Sequence, residues 1–299
     1  AMAKRLANNP NIPQKHRDAY SGGPLVLDQK ELEAPFHLKK ASRIGVQFMG
    51  DLFHEAIPDE FLIRCFNAMR MAPQHRYFLL TKRPSRMADF CQRLRFDGKG
   101  EGKTYLAESP DNSGYCLMGG HRCTGMDWVW LGVSVEDQKT ADERIPILLQ
   151  IPAAKRFVSC EPLLAEIDLI KASECNYPNE MGKLGIGLDW CIVGGETGPH
   201  ARPLNPDWVR SLLGQCQAAG VPFFFKSWGE WEKSGYDSTH LLNIDGRFVK
   251  RSEAMLRISD TREDDLVDRG HPGWIRMRKV GKKRTGRLLD GKIWDETPK

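Results

Sequence analysis

Six short apolar runs, each finishing close to a charged residue and most followed by an amphipathic stretch, constrain this chain more than any other feature. The runs are Ile44–Met49, Tyr77–Leu80, Val129–Val135, Phe157–Cys160, Trp190–Val193 and Val221–Phe225. Between several of them the apolar period lengthens to about 3.6 residues, that of a helix with one buried face. Phe61, Leu62, Cys65, Phe66 and Met69 make one such stripe after Pro58. Met87, Phe90, Cys91 and Leu94 make another after Pro84, and Trp208, Val209, Leu212, Leu213 and Cys216 a third. The third is the best bounded: Asn205 can cap it, Pro206 suits its first position and Gly220 closes it. Thr140 and Glu143 have the spacing of a capping box. Strands alternating with helices predict a parallel sheet with helices outside it. The predicted fold class is α/β, a partial or closed parallel (β/α) barrel, with strands near 44–49, 76–81, 129–135, 155–160, 189–194 and 222–226. An open, doubly wound sheet is the alternative, and both architectures put function at the carboxyl ends of the strands.

Two stretches interrupt the alternation, near residues 96–127 and 172–187; both read as insertions, the first rich in Gly, Ser and Asp. Past residue 235 the texture changes: Leu242–Val249 reads as a hairpin and a basic run follows. The expected organisation is a barrel domain over 1–235 and a C-terminal hairpin with a basic extension over 236–299. The length suits one large α/β domain or two small ones. With 40% hydrophobic and 28% charged residues, the composition is that of a folded globular protein and argues against disorder. No apolar run approaches the ~18 residues that span a bilayer. The opening Ala1-Met2-Ala3-Lys4-Arg5 lacks the apolar core of a secretory signal, so a cytoplasmic location without a membrane role is expected. The eight cysteines include no C-x-x-C pair and several fall inside apolar patterns, so a reduced protein without a disulfide framework is expected.

The strand ends carry an ordered set of ionisable residues: Asp51, Lys82 with Arg83, Glu136, Glu161, Glu196 and Lys226. Burying that many charges costs several kcal/mol each unless they are paired or bind something, so a shared site is the functional reading and an internal salt-bridge ring the structural one. Gly194-Gly195-Glu196 suits close approach of backbone to a ligand, or merely a tight turn. Asp51-Leu52-Phe53-His54-Glu55 holds metal-ligand residue types without the spaced histidines of a zinc protease, and Cys116, His121 and Cys123 offer three ligands without a fourth. No metal ligand set is assigned. Cys160, between Ser159 and Glu161, reads as a buried thiol; Trp228 and Trp231 fit either base stacking or core packing. Arg276, Arg278, Lys279, Lys282, Lys283, Arg284 and Arg287 form a basic strip able to neutralise phosphates, or else a solvated surface.

Several of these segments together resemble the phage and prophage family called gp thirty-seven/gp sixty-eight, a domain of unknown function. They are Gly50-Asp51-Leu52-Phe53-His54-Glu55, Leu80-Thr81-Lys82-Arg83-Pro84, Trp130–Asp137, Phe157–Leu164, Ile192–Glu196, Phe223–Glu230 and Gly286–Gly291. The resemblance spans essentially the whole chain. Members of that family begin with three closely spaced cysteines, like the loop of radical S-adenosylmethionine (SAM) enzymes. The resemblance thus implies a partial barrel of the radical-SAM/TIM type, S-adenosylmethionine and a 4Fe–4S cluster, and a phage protein in the host cytoplasm. For such a protein, Asp51, Lys82, Arg83, Gly194, Gly195 and Glu196 are the candidates to bind cofactor, and Glu136, Glu161 and Lys226 the candidates for catalysis; these roles are read from the chemistry of the side chains and are not carried over from the family. In this sequence Met2–Ala7 matches the helix after that loop and the cysteines themselves are missing, so the chain as given is expected to bind no cluster. The rival expectation is a non-catalytic, nucleic-acid-binding accessory protein using the basic strip.

Overall fold

A computed structural model of the chain describes residues 26–46, 50–96, 104–106, 115–116, 126–173, 186–233, 240–243, 248–250 and 274–299, with Pro10 and Gln14. Residues 47–49 of the first expected strand, the expected helix at Met2–Ala7, His121, Cys123 and most of both insertions lie outside the described residues.

The elements in chain order are α1 (Gln29–His37), β1 (Arg43–Val46), α2 (Asp59–Met71), β2 (Arg76–Thr81), α3 (Pro84–Arg93), β3 (Leu94–Phe96), β4 (Thr104–Leu106) and β5 (Tyr115–Cys116). They continue with β6 (Val129–Ser134), α4 (Gln138–Gln150), β7 (Lys155–Cys160), α5 (Leu169–Ser173), β8 (Trp190–Gly194), α6 (Pro206–Ala219) and β9 (Phe223–Ser227). The chain ends with β10 (Trp231–Lys233), β11 (His240–Asn243), β12 (Phe248–Lys250), β13 (Trp274–Lys279), β14 (Leu288–Leu289) and β15 (Lys292–Ile293). The six expected strands are β1, β2, β6, β7, β8 and β9, and they form one curled, parallel sheet in the order β1-β2-β6-β7-β8-β9. That order follows the sequence without reversal, so the sheet has no switch point of the doubly wound kind. Among the described residues β1 and β9 do not pair with each other, which makes a partial rather than a closed barrel the fitting description.

The chain divides into two compact units. The first comprises Ala1–Ser134, Glu143–Val158 and Gly187–Asp189. Here β1 pairs with β2 from Arg43↔Arg76 to Val46↔Leu79, and β2 with β6 from Tyr77↔Val129 to Thr81↔Val133. The stripe of α2 is buried as its period requires, at Phe61, Leu62, Cys65, Phe66 and Met69. Met87, Phe90 and Cys91 of α3 are buried likewise, and Phe90 meets Phe66 and Phe53 at ring separations of 5.1 and 6.2 Å. Each such side chain contributes about 1.5–3 kcal/mol on burial. The stretch read as the first insertion contributes a small antiparallel sheet, β4-β3-β5.

The second unit comprises Val135–Asp142, Ser159–Ile186 and Trp190–Lys299. Its best-bounded helix, α6, has the ends its sequence calls for. Asn205 Oδ1 accepts the Asp207 N–H at 3.0 Å, Pro206 opens the helix, and Gly220 closes it in the left-handed region at φ 72°. The capping box before α4 sits one turn earlier than the Thr140/Glu143 spacing predicts. Asp137 Oδ1 accepts the Thr140 N–H at 2.8 Å and Thr140 Oγ1 accepts the Asp137 N–H at 3.1 Å, so Thr140 closes the box rather than opening it.

Beyond β9 the unit carries a second sheet, antiparallel, in the order β10-β13-β11-β12. The expected hairpin is β11 with β12, registered from His240↔Lys250 to Leu242↔Phe248. Three of the seven basic residues, Arg276, Arg278 and Lys279, lie in a strand: in β13 Ile275 and Met277 alternate with the arginines, and Met277 packs into a core with Ala201, Trp231 and Leu242. The C-terminal segment then lies along β9. Phe225 N–H donates to Trp294 O at 2.9 Å, Glu296 N–H donates to Phe223 O at 3.2 Å, and Phe224 bridges Asp295 antiparallel. These bonds cover backbone groups that an edge strand would otherwise present unpaired.

Candidate functional site

In the first unit the strand-end residues close on one another. Asp51 Oδ1 accepts from Phe53 N–H at 3.0 Å and Thr81 Oγ1 at 2.7 Å, and Oδ2 accepts from Lys82 N–H at 3.0 Å and Arg83 Nη1 at 2.9 Å. Four donors fill the roughly four lone-pair positions of a carboxylate. Arg83 Nε also lies 2.8 and 2.9 Å from the two oxygens of Glu55, whose carboxyl is held low first by a backbone hydrogen bond and then by Arg83. Arg86 donates to the carbonyls of His54 and Ile57 and to Asp59. The loop that follows β1 is thus braced from the start of α3.

The second unit presents a different arrangement. The pairing of β8 with β9 slips at its end: Val193 faces Phe225 and Gly194 faces Ser227, so Lys226 is the extra residue of a β-bulge. Bulges re-aim side chains and recur beside sites. Lys226 Nζ stands 2.8 Å from Glu161 Oε1, just past the end of β7, where the Glu161–Pro162 peptide is cis. A Cβ on Gly194 would stand 3.3 Å from the Glu161 side chain, so glycine gives that carboxylate room across the end of β8. The side chains remain 25% exposed for Glu161 and 55% for Lys226. Such a pair contributes under about 1 kcal/mol to stability.

Glu136 is buried, its N–H donating to Thr140 Oγ1 at 3.0 Å and its carbonyl accepting Leu164 N–H at 2.8 Å. Glu196 turns to Arg202, whose Nε lies 2.8 Å from Oε2; that hydrogen bond lowers the Glu196 carboxyl below its ordinary value. At Gly195 a Cβ would fall 2.3 Å from the Trp228 carbonyl oxygen, and at Gly229, at φ 79°, one would fall 2.3 Å from the Glu196 carbonyl oxygen. The two turns cross backbone on backbone, which is the packing reason for glycine at both.

One residue at this crossing was not among the predicted site residues. Glu230 Oε1 accepts the Gly198 N–H at 2.9 Å, Oε2 accepts the Lys282 N–H at 3.2 Å, and its carbonyl accepts Val280 and Gly281 N–H at 3.0 and 3.1 Å. Its partners lie 32 to 52 residues away, so no local pattern could reveal it. Among the basic residues, Arg278 pairs with Glu232 at 2.7 Å, Lys279 reaches the carbonyls of Gly198 and Pro199, and Arg287 lies 5.0 Å over the Phe224 ring. Lys282, Lys283 and Arg284 are exposed. Trp231 is core, donating to Ala201 O at 2.6 Å, and Trp228 donates to Leu288 O at 2.9 Å.

The cysteines Cys65, Cys91, Cys160, Cys191 and Cys216 are free and buried. Burial pushes the Cys65 thiol up to about 12; the neighbouring Cys160 thiol pushes Cys191 up, and Cys191 together with burial does the same to Cys216. Cys65, Cys191 and Cys216 are thus packed thiols rather than thiolates. Among the described residues no group of three or more His, Cys, Asp and Glu is arranged to hold a metal ion, and no helix is long and apolar enough to cross a membrane.

A parallel α/β protein with charged strand ends and a bulged lysine–glutamate pair is the class that fold and geometry define. A family model described as a protein of unknown function (DUF5131) matches residues 1–298, and the chain belongs to that family. No curated protein and no solved structure matches it.

Proposed function

We propose that this chain is a phage-encoded, radical-SAM-like protein that works on its substrate at the carboxyl ends of its parallel strands. The observation that carries the placing of a site at these strand ends is the bulge that re-aims Lys226 onto Glu161 beside Gly194. The pair contributes little to stability and interrupts a ladder, so a site is the better reason for it. In this reading Lys226 receives an anionic group of the substrate or cofactor. Glu161 binds a hydroxyl or exchanges a proton, and Glu136 supports it from the end of β6.

The described residues do not fit a 4Fe–4S cluster, because no group of three or more of their His, Cys, Asp and Glu residues is arranged to hold a metal, and Cys65, Cys91, Cys160, Cys191 and Cys216 are buried in the core. Asp51 and Glu196 would have to surrender Arg83 and Arg202 to hold a cofactor ammonium group. A cluster therefore has to be held by residues other than those described. The test is anaerobic reconstitution of the native protein with iron and sulfide, read by iron content and by cleavage of S-adenosylmethionine. About four irons and cleavage are expected. A protein that stays free of iron ends the reading.

The exposed Lys282, Lys283 and Arg284 favour a second reading, a nucleic-acid-binding accessory protein built on the same sheet. Nucleic-acid binding without any turnover would select it.

A further inference from the structure

We infer that the turn Gly281–Thr285 is a phosphate grip, and that nucleic acid is the ligand it delivers to the strand ends of the second unit. The inference rests on the reading of those strand ends as a site. It starts from how the seven basic residues divide. Arg278 is paired with Glu232, Lys279 is spent on backbone carbonyls and the Trp231 ring, and Arg287 covers Phe224. Arg276 belongs to β13, in the antiparallel sheet. Lys282, Lys283 and Arg284 follow one another in an exposed turn, and among the described residues no carboxylate forms an ion pair with any of the three side chains.

That turn is anchored with unusual completeness for a surface loop. Gly281, at φ 88°, begins it; Arg284 N–H returns to Gly281 O at 2.9 Å; and Thr285 Oγ1 donates to Gly229 O at 2.9 Å. Glu230 holds its entry through the backbone N–H groups of Val280, Gly281 and Lys282. The same carboxylate holds Gly198 of the β8 loop, and Glu230 N–H donates to Glu196 O at 3.2 Å. One residue therefore fixes three consecutive cations against the loop that follows β8. The anchoring uses backbone and leaves the three cationic heads to solvent. Fixed, adjacent cations match the repeat of charges along a phosphodiester chain, whereas scattered surface lysines would not. Glu230 is a positioning residue in this arrangement.

The experiment is fluorescence anisotropy with a labelled single-stranded oligonucleotide of about 20 nucleotides, over a series of salt concentrations. K282A/K283A/R284A is expected to weaken binding by about tenfold or more and to flatten the slope of log affinity against log salt by about 2, some 0.7 for each phosphate no longer neutralised. The charge-preserving variant K282R/K283R/R284K should keep both. Circular dichroism and the unfolding midpoint should be unchanged, since the substituted heads are exposed. An unchanged slope in the alanine variant overturns the inference, and so does equal competition by polyglutamate of matched charge, which would show a general polyanion surface. These outcomes are independent of iron content, so failure of the radical-SAM-like reading and failure of this one are told apart.

Discussion

Asp51, past β1, accepts hydrogen bonds from four groups of its own unit, while Glu161, past β7, takes its charged partner from one bulged lysine and keeps a quarter of its side chain exposed. Both are carboxylates following a parallel strand, and in the sequence they look alike. The difference is what stands opposite. Thr81 ends β2 and Lys82 and Arg83 follow it without a slip in register, and all three close on Asp51, which turns a charged strand end into a brace for the β1 loop. The register of β9 slips at Lys226, and a single flexible ammonium faces Glu161. The first arrangement is saturated and holds shape. The second has capacity left for a ligand, and the turn anchored by Glu230 belongs to the same unit.

The sharpest way to break this comparison is to disturb the crossing that shapes the second region. Gly195→Ala places a methyl 2.3 Å from the Trp228 carbonyl oxygen and 2.9 Å from the Gly229 nitrogen, and neither backbone can yield cheaply. The expected loss is about 3 kcal/mol or more. Urea unfolding measures it, and a loss below about 1 kcal/mol would mean that the two turns separate easily. Next in size is the contrast itself. Asp51→Ala should cost about 2–3 kcal/mol by stranding donors in a partly buried network, whereas Lys226→Ala should cost less than about 1 kcal/mol. Equal losses in the two variants would erase the distinction between brace and site.

The smallest expected effect concerns Glu196. Arg202 lowers its carboxyl in the folded state, so its contribution to stability is complete above the ordinary Glu value of 4.5 and fades as pH falls through the lowered one. Glu196→Gln should therefore narrow the stability difference between neutral and acid pH, with its influence confined to that acidic window. Unfolding midpoints of both proteins between about pH 3 and pH 7 test this, and a variant whose profile superimposes on the parent's would remove Arg202 as the cause.

Much of this molecule is set by local chemistry. The stripe of α2, the ends of α6 and the five strands after β1 follow from periodicity, caps and glycine, because these depend on residues within a turn or two of one another. The capping box of α4 moved by one turn because Asp137 and Thr140 satisfy each other better than the more familiar Thr140/Glu143 spacing. β13 was hidden because a count of basic residues ignores that Ile275 and Met277 alternate with them.

What the sequence determined by itself was that charged residues follow parallel strands, since strand and helix signals are short-range and chain direction fixes which end is which. Tertiary structure alone decided what those charges do. Whether a carboxylate is saturated depends on the register of the next strand, as at Asp51; whether a lysine is re-aimed depends on a one-residue slip, as at Lys226. Whether a basic run becomes strand, core cover or exposed grip depends on Glu230 and Glu232, about fifty residues distant. Hydrogen bonds of that span leave no local trace, because their energy depends on positions that only the folded chain brings together.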